Sequence, residues 1–484
     1  MSRPQTPPTV APEEESQFRF HELTTPTEWA EDYRPGKYHP VNLGDTFKDS
    51  TYRVIRKLGY GSYSTVWLAK DQATNKYVAL KISIANQDRT HHELDISRTL
   101  SQVPPGHPGK QFIPSLLDVF THDGPNGSHL CLVHEVLGPG AADIPESISS
   151  LIPGSRRGRR YSLSAAKAIL YQTLLYVDFL QQNYIVHADL HPGNLLFSIS
   201  DLNHVDEKNL AQDESDGDVC EPLRRIDGLV DLWAPKFLII QQPLTDYIDT
   251  TDLKIKVSDL GGGIFPFYVL LALLIMNFIA AFPFSNPPSN PVTPVGLRSP
   301  QLVFKNQIPT DQDIWSFGCL IFELITGSPL FVIAGVDDDD DLKETCFSVF
   351  REILGPLPEH FLACLPRPHL YSNEKGYTGP LPPGVDPSDY PPFPPLEELF
   401  DKNKPEEMND QEAGFVKTLL RWTLQYEQED RPSASDLLRH PWFATMEELS
   451  WALEIQMPHY SGFACDKAPP QQVLRAATFS HGSH

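Results

Sequence analysis

Four short clusters in this 484-residue chain hold residue types that can handle a phosphate and its counter-charge. In Gly59-Tyr60-Gly61-Ser62-Tyr63-Ser64-Thr65-Val66, glycines sit where a strand turns, so backbone N–H groups can close over phosphate oxygens without side-chain interference. Alone this pattern matches many simple turns, and the third glycine position holds Ser64. Val78-Ala79-Leu80-Lys81 ends an apolar strand with an ammonium, which neutralises phosphate charge if an acid holds it in place. Glu93, on the helix expected to follow, is the candidate for that acid. In His187-Ala188-Asp189-Leu190-His191-Pro192-Gly193-Asn194, Asp189 can accept or orient a hydroxyl proton, and Asn194, five residues on, can ligate Mg2+. Lys256-Val257-Ser258-Asp259-Leu260-Gly261 delivers a second carboxylate, Asp259, at a glycine turn. Magnesium takes hard oxygen ligands, and one Asn plus one Asp leaves room for phosphates and water. Four signals in this order are hard to obtain by coincidence.

The elements that must position them can be read from the same sequence. Thr51 to Leu58, Thr65 to Ala69 and Tyr77 to Ile84 carry the β-branched and aromatic residues of strands, and Leu130 to Val136 suits a buried one. Apolar residues recur at helical spacing from Ser164 to Gln182, Leu170, Leu174 and Val177 among them. Ile314 to Thr326 is a second helix, ended by Gly327 and Pro329. Strands lead and helices follow, so the expected fold is α+β, a small β-rich lobe on a larger helical one. Residues 1–28 read as a disordered extension, 29–137 as the small lobe with its lead-in, and 138–445 as the large lobe. Asp201 to about Asp252, polar and acidic at first, reads as a spacer inserted in the large lobe. Tyr371 to Pro405 reads as a Pro-rich surface loop, and 446–484 as a tail.

A formal net charge of -24 argues against general affinity for nucleic acid or anionic membrane and favours a basic partner. Six scattered cysteines without a CxxC pair, and a Pro- and Glu-rich start without a signal-peptide core, point to a reducing compartment, cytoplasm and/or nucleus. Arg156-Arg157-Gly158-Arg159-Arg160 is either a solvated loop or a nuclear signal.

The ordered clusters resemble the bilobal protein kinase fold, and the resemblance runs on to Asp313-Ile314-Trp315-Ser316-Phe317-Gly318, whose aspartate would brace the catalytic loop. Arg431-Pro432, Leu437-Leu438 and His440-Pro441-Trp442-Phe443 resemble the closing helix. His187 to Asn194 also resembles small-molecule kinases of the aminoglycoside and choline type, which lack those late motifs. Within protein kinases the chain is similar to fungal SR-protein kinases. Tyr33-Arg34-Pro35-Gly36-Lys37-Tyr38-His39-Pro40-Val41, Ser64 to Ala69 and Glu135-Val136-Leu137-Gly138 carry that likeness. The resemblance implies a serine/threonine kinase that takes ATP and Mg2+, acts as a monomer and phosphorylates basic Arg-Ser-rich protein. Leu58, Gly59, Gly61 and Val66 would then cover the nucleotide; Ala79, Lys81, Glu135 and Leu137 would complete its site. Asp189, Lys81, Glu93 and His191 would be catalytic, with Asn194 and Asp259 on the metal. Asp337 to Asp341 is either a solvated loop or a surface facing such a substrate.

Three features depart from the family pattern. His191 stands where a lysine is usual, and Gln301 replaces a glutamate expected to pair with Arg431. Ile264 to Phe284 is almost unbroken apolar sequence directly after Asp259-Leu260-Gly261. As a membrane span it would put Asp189 and Asp313 on opposite sides of a bilayer, so no membrane is expected. A buried or lipid-facing insertion is one alternative; a translated intron is preferred, because removing Gly263 to Ala280 leaves Asp-Leu-Gly-Gly-Ala-Phe, closer to the family. A pseudokinase scaffold that keeps the fold without turnover is the rival from another functional class.

Overall fold

Strand pairing begins where the alternation of apolar residues predicts it. The computed structural model describes residues 6–23, 26–85, 87–144, 160–213, 219–260, 292–333, 338–371 and 393–444. Strands β1 (Thr46–Phe47), β2 (Tyr52–Gly61), β3 (Ser64–Asp71), β4 (Lys76–Ser83), β5 (Leu116–Gly124) and β6 (Gly127–His134) form one sheet in the order β1-β2-β3-β4-β6-β5. All of its pairings are antiparallel. Gly61 pairs with Ser64 to close the glycine hairpin, and Lys81 on β4 pairs with Val66 beside it. Helix α1 (Gln87–Gln102), which carries Glu93, packs against β6.

The large lobe is built round α2 (Leu163–Gln182), capped by Ser162, whose hydroxyl accepts the Ala165 N–H. Leu170, Leu174 and Val177 have no exposed surface, so the predicted stripe is the core. Burying each stabilises the fold by about 1.5–3 kcal/mol. Helix Gln312–Thr326 packs on α2 and stops where expected, at Gly327, whose φ of 77° suits glycine. Between the helices lie β7 (Leu195–Phe197) and β10 (Ile255–Val257), an antiparallel ribbon. It holds the His187–Asn194 loop before β7 and Asp259 after β10 in fixed register.

Three assignments differ from the expectation. Residues 1–28 are not a disordered extension throughout. The Arg19 guanidinium contacts Glu31 at 2.8 Å and Asp231 at 3.3 Å, and Glu28 forms an ion pair with Lys57 in which both side chains are buried. Proline and glutamate content suggested disorder, but these partners lie far along the chain, where local composition cannot register them. The segment counted as a spacer of the large lobe packs on the small one. Ile239, on β9 (Phe237–Ile239), which pairs with β8 (Val219–Pro222), joins the core of Trp67, Leu80 and Val133; Leu202, Leu210 and Leu244 join Ile55, Leu68 and Tyr77. Trp67 and Leu68 point to opposite faces of β3, so the insert covers both faces of the sheet. A third strip packs insert residue Leu238 against lead-in residues Tyr33 and Tyr38. The expected loop Tyr371 to Pro405 also contains a helix, Leu396–Asn403, which buries Leu396 and Phe400. The apolar stretch 263–284, the intron boundary within it and the tail 446–484 fall outside the described residues. Among the described residues no helix is long and apolar enough to cross a membrane.

Candidate active site

The two lobes enclose a cleft of ≈ 710 Å³, within the range of small-molecule sites. Every residue singled out above for nucleotide, metal or catalysis lines it. Leu58, Gly59, Gly61, Val66 and Ala79 come from the sheet; Glu135 and Leu137 come from the segment joining the lobes. Asp189, His191, Asn194 and Asp259 face them from the large lobe. Neither glycine of the hairpin has a left-handed φ, and a Cβ on Gly61 would meet nothing within 4 Å, so backbone strain does not explain them.

Lys81 Nζ donates to both carboxylate oxygens of Glu93, at 2.7 and 2.8 Å, and lies 3.3 Å from Asp259 Oδ1. Burial by itself lowers the Lys81 pKa; Asp259 and Glu93 together outweigh it and hold the ammonium charged well above its ordinary range. Burial in turn pushes the Glu93 carboxyl up, against the pull of Lys81.

The loop His187–Asn194 is fixed from below. Asp313 Oδ2 accepts the His187 N–H at 2.7 Å and Oδ1 accepts the Ala188 N–H at 2.9 Å. That grip holds Ala188 at φ 62°, a conformation an alanine avoids without such support. Asp313 is pushed up to about 6 by burial, partly offset by these two N–H groups. His187, part of the quoted motif but without a role of its own in it, is fully buried and joins both halves of the site. Its Nδ1 accepts the Asp189 N–H at 3.2 Å, which leaves Nε2 to donate to Ser258 O at 3.1 Å, one residue before Asp259. Its place two residues ahead of Asp189 was the available signal. Thr293, also unanticipated, is buried and donates its hydroxyl to Ala188 O.

The substituted positions have local solutions. His191 Nδ1 accepts the Gly193 N–H at 3.1 Å, so the neutral ring carries its proton on Nε2, 3.9 Å from Asp189 Oδ2. Burial lowers the His191 pKa, although Asp259 and Asp143 oppose it, so the ring offers a neutral donor where a lysine would offer a charge. Gln301 Oε1 accepts from Arg431 Nη2 at 2.6 Å, and Asp311 Oδ1 lies 3.0 Å from Arg431 Nη1. The charge assistance expected to be missing is therefore supplied ten residues after Gln301.

Asn194 Nδ2 donates to Asp189 O at 2.9 Å, which directs its amide oxygen away from that bond. That oxygen and the half-exposed Asp259 carboxylate are hard donors, the type magnesium takes, so the donor set fits the cation. Further residues also line the cleft, among them His134 at the end of β6 and Gln241 from the insert. His134 stood next to the quoted Glu135; nothing local marked Gln241. Of the aspartate run, Asp338 caps helix Asp339–Leu354 and accepts the Asp340 and Asp341 N–H groups, an ordinary helix start.

A family model described as protein kinase domain matches residues 52–211 and 284–443; the gap between them takes in most of the insert, Asp259-Leu260-Gly261 and most of the apolar stretch. Serine/threonine-protein kinase SRPK of Physarum polycephalum is 29% identical over 435 residues, covering 86% of this chain and 91% of that protein. Protein kinase dsk1 of Schizosaccharomyces pombe is 40% identical over 203 residues, 41% of this chain and 36% of its own length. A serine/threonine protein kinase of Aspergillus fumigatus is 27% identical over 414 residues, 84% and 88% of the two chains. The crystal structure of a kinase domain superposes with a TM-score of 0.53 at 20% identity, covering 84% of this chain and 98% of that one, a likeness of fold. The matched motifs continue through the closing helix that small-molecule kinases lack, and the full-length relatives carry serine/threonine kinase names. This chain belongs to the protein kinase family, is a serine/threonine-protein kinase, and within that family resembles the SR-protein kinases.

Proposed function

We propose that the chain transfers the γ-phosphoryl group of ATP to serines in Arg-Ser-rich protein segments, with the roles distributed as follows. The hairpin Gly59–Ser64 and Lys81 hold the phosphates, and backbone groups of Glu135 to Leu137 meet the adenine. The observation that carries the proposal is the two-oxygen contact of Glu93 with Lys81, made in the cleft that also holds Asp189, Asn194 and Asp259. A serine hydroxyl beside Asp189 gives its proton to that carboxylate as the serine oxygen bonds to Pγ and the bond from Pγ to the β–γ bridging oxygen breaks. His191 Nε2–H, 3.9 Å from Asp189 Oδ2, stands beside the carboxylate without bonding it and is available to donate to a transferring phosphoryl oxygen. Asn194 and Asp259 would hold Mg2+, which when bound supplies positive charge against the phosphate oxygens. Most of the rate then comes from positioning and charge, since no covalent intermediate forms on the protein.

Arginine preference is supported by the net charge of -24 and by the likeness to SR-protein kinases. The test is phosphate transfer from ATP to an Arg-Ser repeat peptide, with Asp189→Ala as blank. A peptide in which lysine replaces each arginine reports on the preference, and a chain lacking Gly263 to Ala280 reports on the apolar stretch. Transfer lost in the blank and at least about tenfold better with arginine supports the proposal. Equal rates on the two peptides would remove the arginine preference. A folded, soluble chain that transfers nothing, with or without the stretch, would leave only a nucleotide-binding scaffold.

A further inference from the structure

The hairpin over the cleft has the makings of a loose element. Tyr60, Gly61, Ser62 and Tyr63 are all exposed, and glycine adds backbone freedom that folding has to remove. Yet its tip is tied on both sides of the turn. Ile84 N–H donates to Tyr63 O at 2.9 Å, and the Tyr38 hydroxyl donates to Gly61 O at 2.7 Å.

Tyr38 is well placed to anchor something else, because it is itself held. It is 4% exposed and packs among Tyr33, Ile84 and Leu238, with its ring 5.7 Å from that of Tyr33. Its carbonyl accepts Asn126 Nδ2 at 2.6 Å, from the turn between β5 and β6, and Asn126 also donates to Trp233 O in the insert at 2.8 Å. The Tyr38 N–H donates to Asp32 O at 3.2 Å. One residue earlier, Lys37 O accepts the Ala85 N–H at 3.2 Å, at the approach to α1 and Glu93. At the base of the hairpin, the buried Lys57–Glu28 pair sits under Tyr60, with Tyr33 donating to the same Glu28 at 2.5 Å.

From these contacts we propose that Tyr38 is a positioning residue for the nucleotide loop, its hydroxyl fixing the height of the Gly61 carbonyl so that the amides of Gly59 to Gly61 are set before nucleotide arrives. The proposal rests on the reading above that this hairpin covers ATP phosphates. It assigns a task to a lead-in that lies before the matched kinase region begins at residue 52. Removing one neutral hydrogen bond shifts a local opening equilibrium by about 2- to 10-fold. Tyr38→Phe keeps the packed ring and deletes that bond alone.

The experiment is hydrogen–deuterium exchange on the nucleotide-free full chain, followed by ATP titration of peptide phosphorylation. In Tyr38→Phe, amides of residues 58–66 should exchange about 2- to 10-fold faster while those of α2 stay at the wild-type rate. KM for ATP should rise by a similar factor with kcat within about twofold, a split that a general loss of folded protein would not give. Asn126→Ser frees the Tyr38 carbonyl from the other end and should loosen the same amides, which covers the case of a poorly folding phenylalanine variant. Unchanged exchange in folded variants overturns the proposal whatever the activity. Faster loop exchange in a chain whose wild type never transfers phosphate would uphold the positioning role and count against the kinase reading.

Discussion

The two walls of the cleft are secured by different means. Below, one carboxylate, Asp313, grips two consecutive N–H groups of the catalytic loop from inside an apolar helix, and His187 ties that loop to Ser258. Above, the sheet is held from outside, by a lead-in and an insert that meet each other as well as the lobe. Phe20 pairs with Arg225, and Arg19 and Arg225 share Asp231. The lower wall joins short motifs that mark the family, with Asp313 reaching His187 across 126 positions; the upper one is an assembly of lead-in, sheet and insert. The cleft therefore lies between a grip made by motif residues below and a clasp made by lead-in and insert above.

The largest effect should come from breaking the grip. Asp313→Ala leaves two buried donors unsatisfied, and turnover should fall by at least about 100-fold, with stability down by about 2–5 kcal/mol in a urea melt. Retained activity would mean that the loop holds its shape without the brace. Next is the clasp. Lys57→Met strands the buried Glu28 carboxylate and should cost about 3–5 kcal/mol, whereas Lys57→Met with Glu28→Leu should recover most of it. A single variant as stable as wild type would show that the clasp is ornamental to the sheet.

Acid should separate the two walls. Asp313 is held at about 6, above its ordinary value, so the folded chain takes up this proton before the unfolded chain does. Its contribution to stability therefore falls as pH rises from about 4 to 6 and does not fall on acidification. Lowering the pH from 7 to 5 should remove the charge on the brace and reduce kcat before any loss of stability traceable to this group. A rate that declines only in step with unfolding would contradict this. The smallest effect is expected at Gln301→Glu, within about 1 kcal/mol, because Asp311 already supplies Arg431 with a carboxylate and the change forfeits the Gln301 donor to Tyr426 O.

The lower wall was legible because each of its parts is a short motif with its own spacing, although Asp313 and His187 meet across 126 positions. Asp189 and Asn194 meet through one 3-10 turn at Pro192–Asn194, and a stripe such as Leu170, Leu174, Val177 declares its buried face by spacing alone. Lys81 and Glu93 were found for the same reason, a strand end and the helix after it. The clasp was not legible. Arg19 reaches Asp231 across 212 positions, and Lys57 sits in a strand of alternating residues where a charge is normally read as solvent-facing. Its burial follows from Glu28, and nothing near Lys57 in the sequence names that partner. The polar, acidic start of the insert also disguised it, although Leu202, Leu210, Leu238, Ile239 and Leu244 are buried in the packing of the small lobe. Gln301 shows the complementary error: a missing charge was inferred from one position while Asp311, close by, replaced it.

The reach of the insert has a consequence for how the molecule is made. When a ribosome has released β6, the sheet has all its strands, yet Ile239, which completes its core, is still roughly a hundred residues from being translated. At about 5–20 residues per second the unfinished lobe waits about 5–20 s with Trp67 and its neighbours incompletely covered. A fragment ending at residue 137 should accordingly behave as a chaperone client and not as an independent domain. Circular permutation that brings residues 200–245 out of the tunnel ahead of the strands should shorten that exposure.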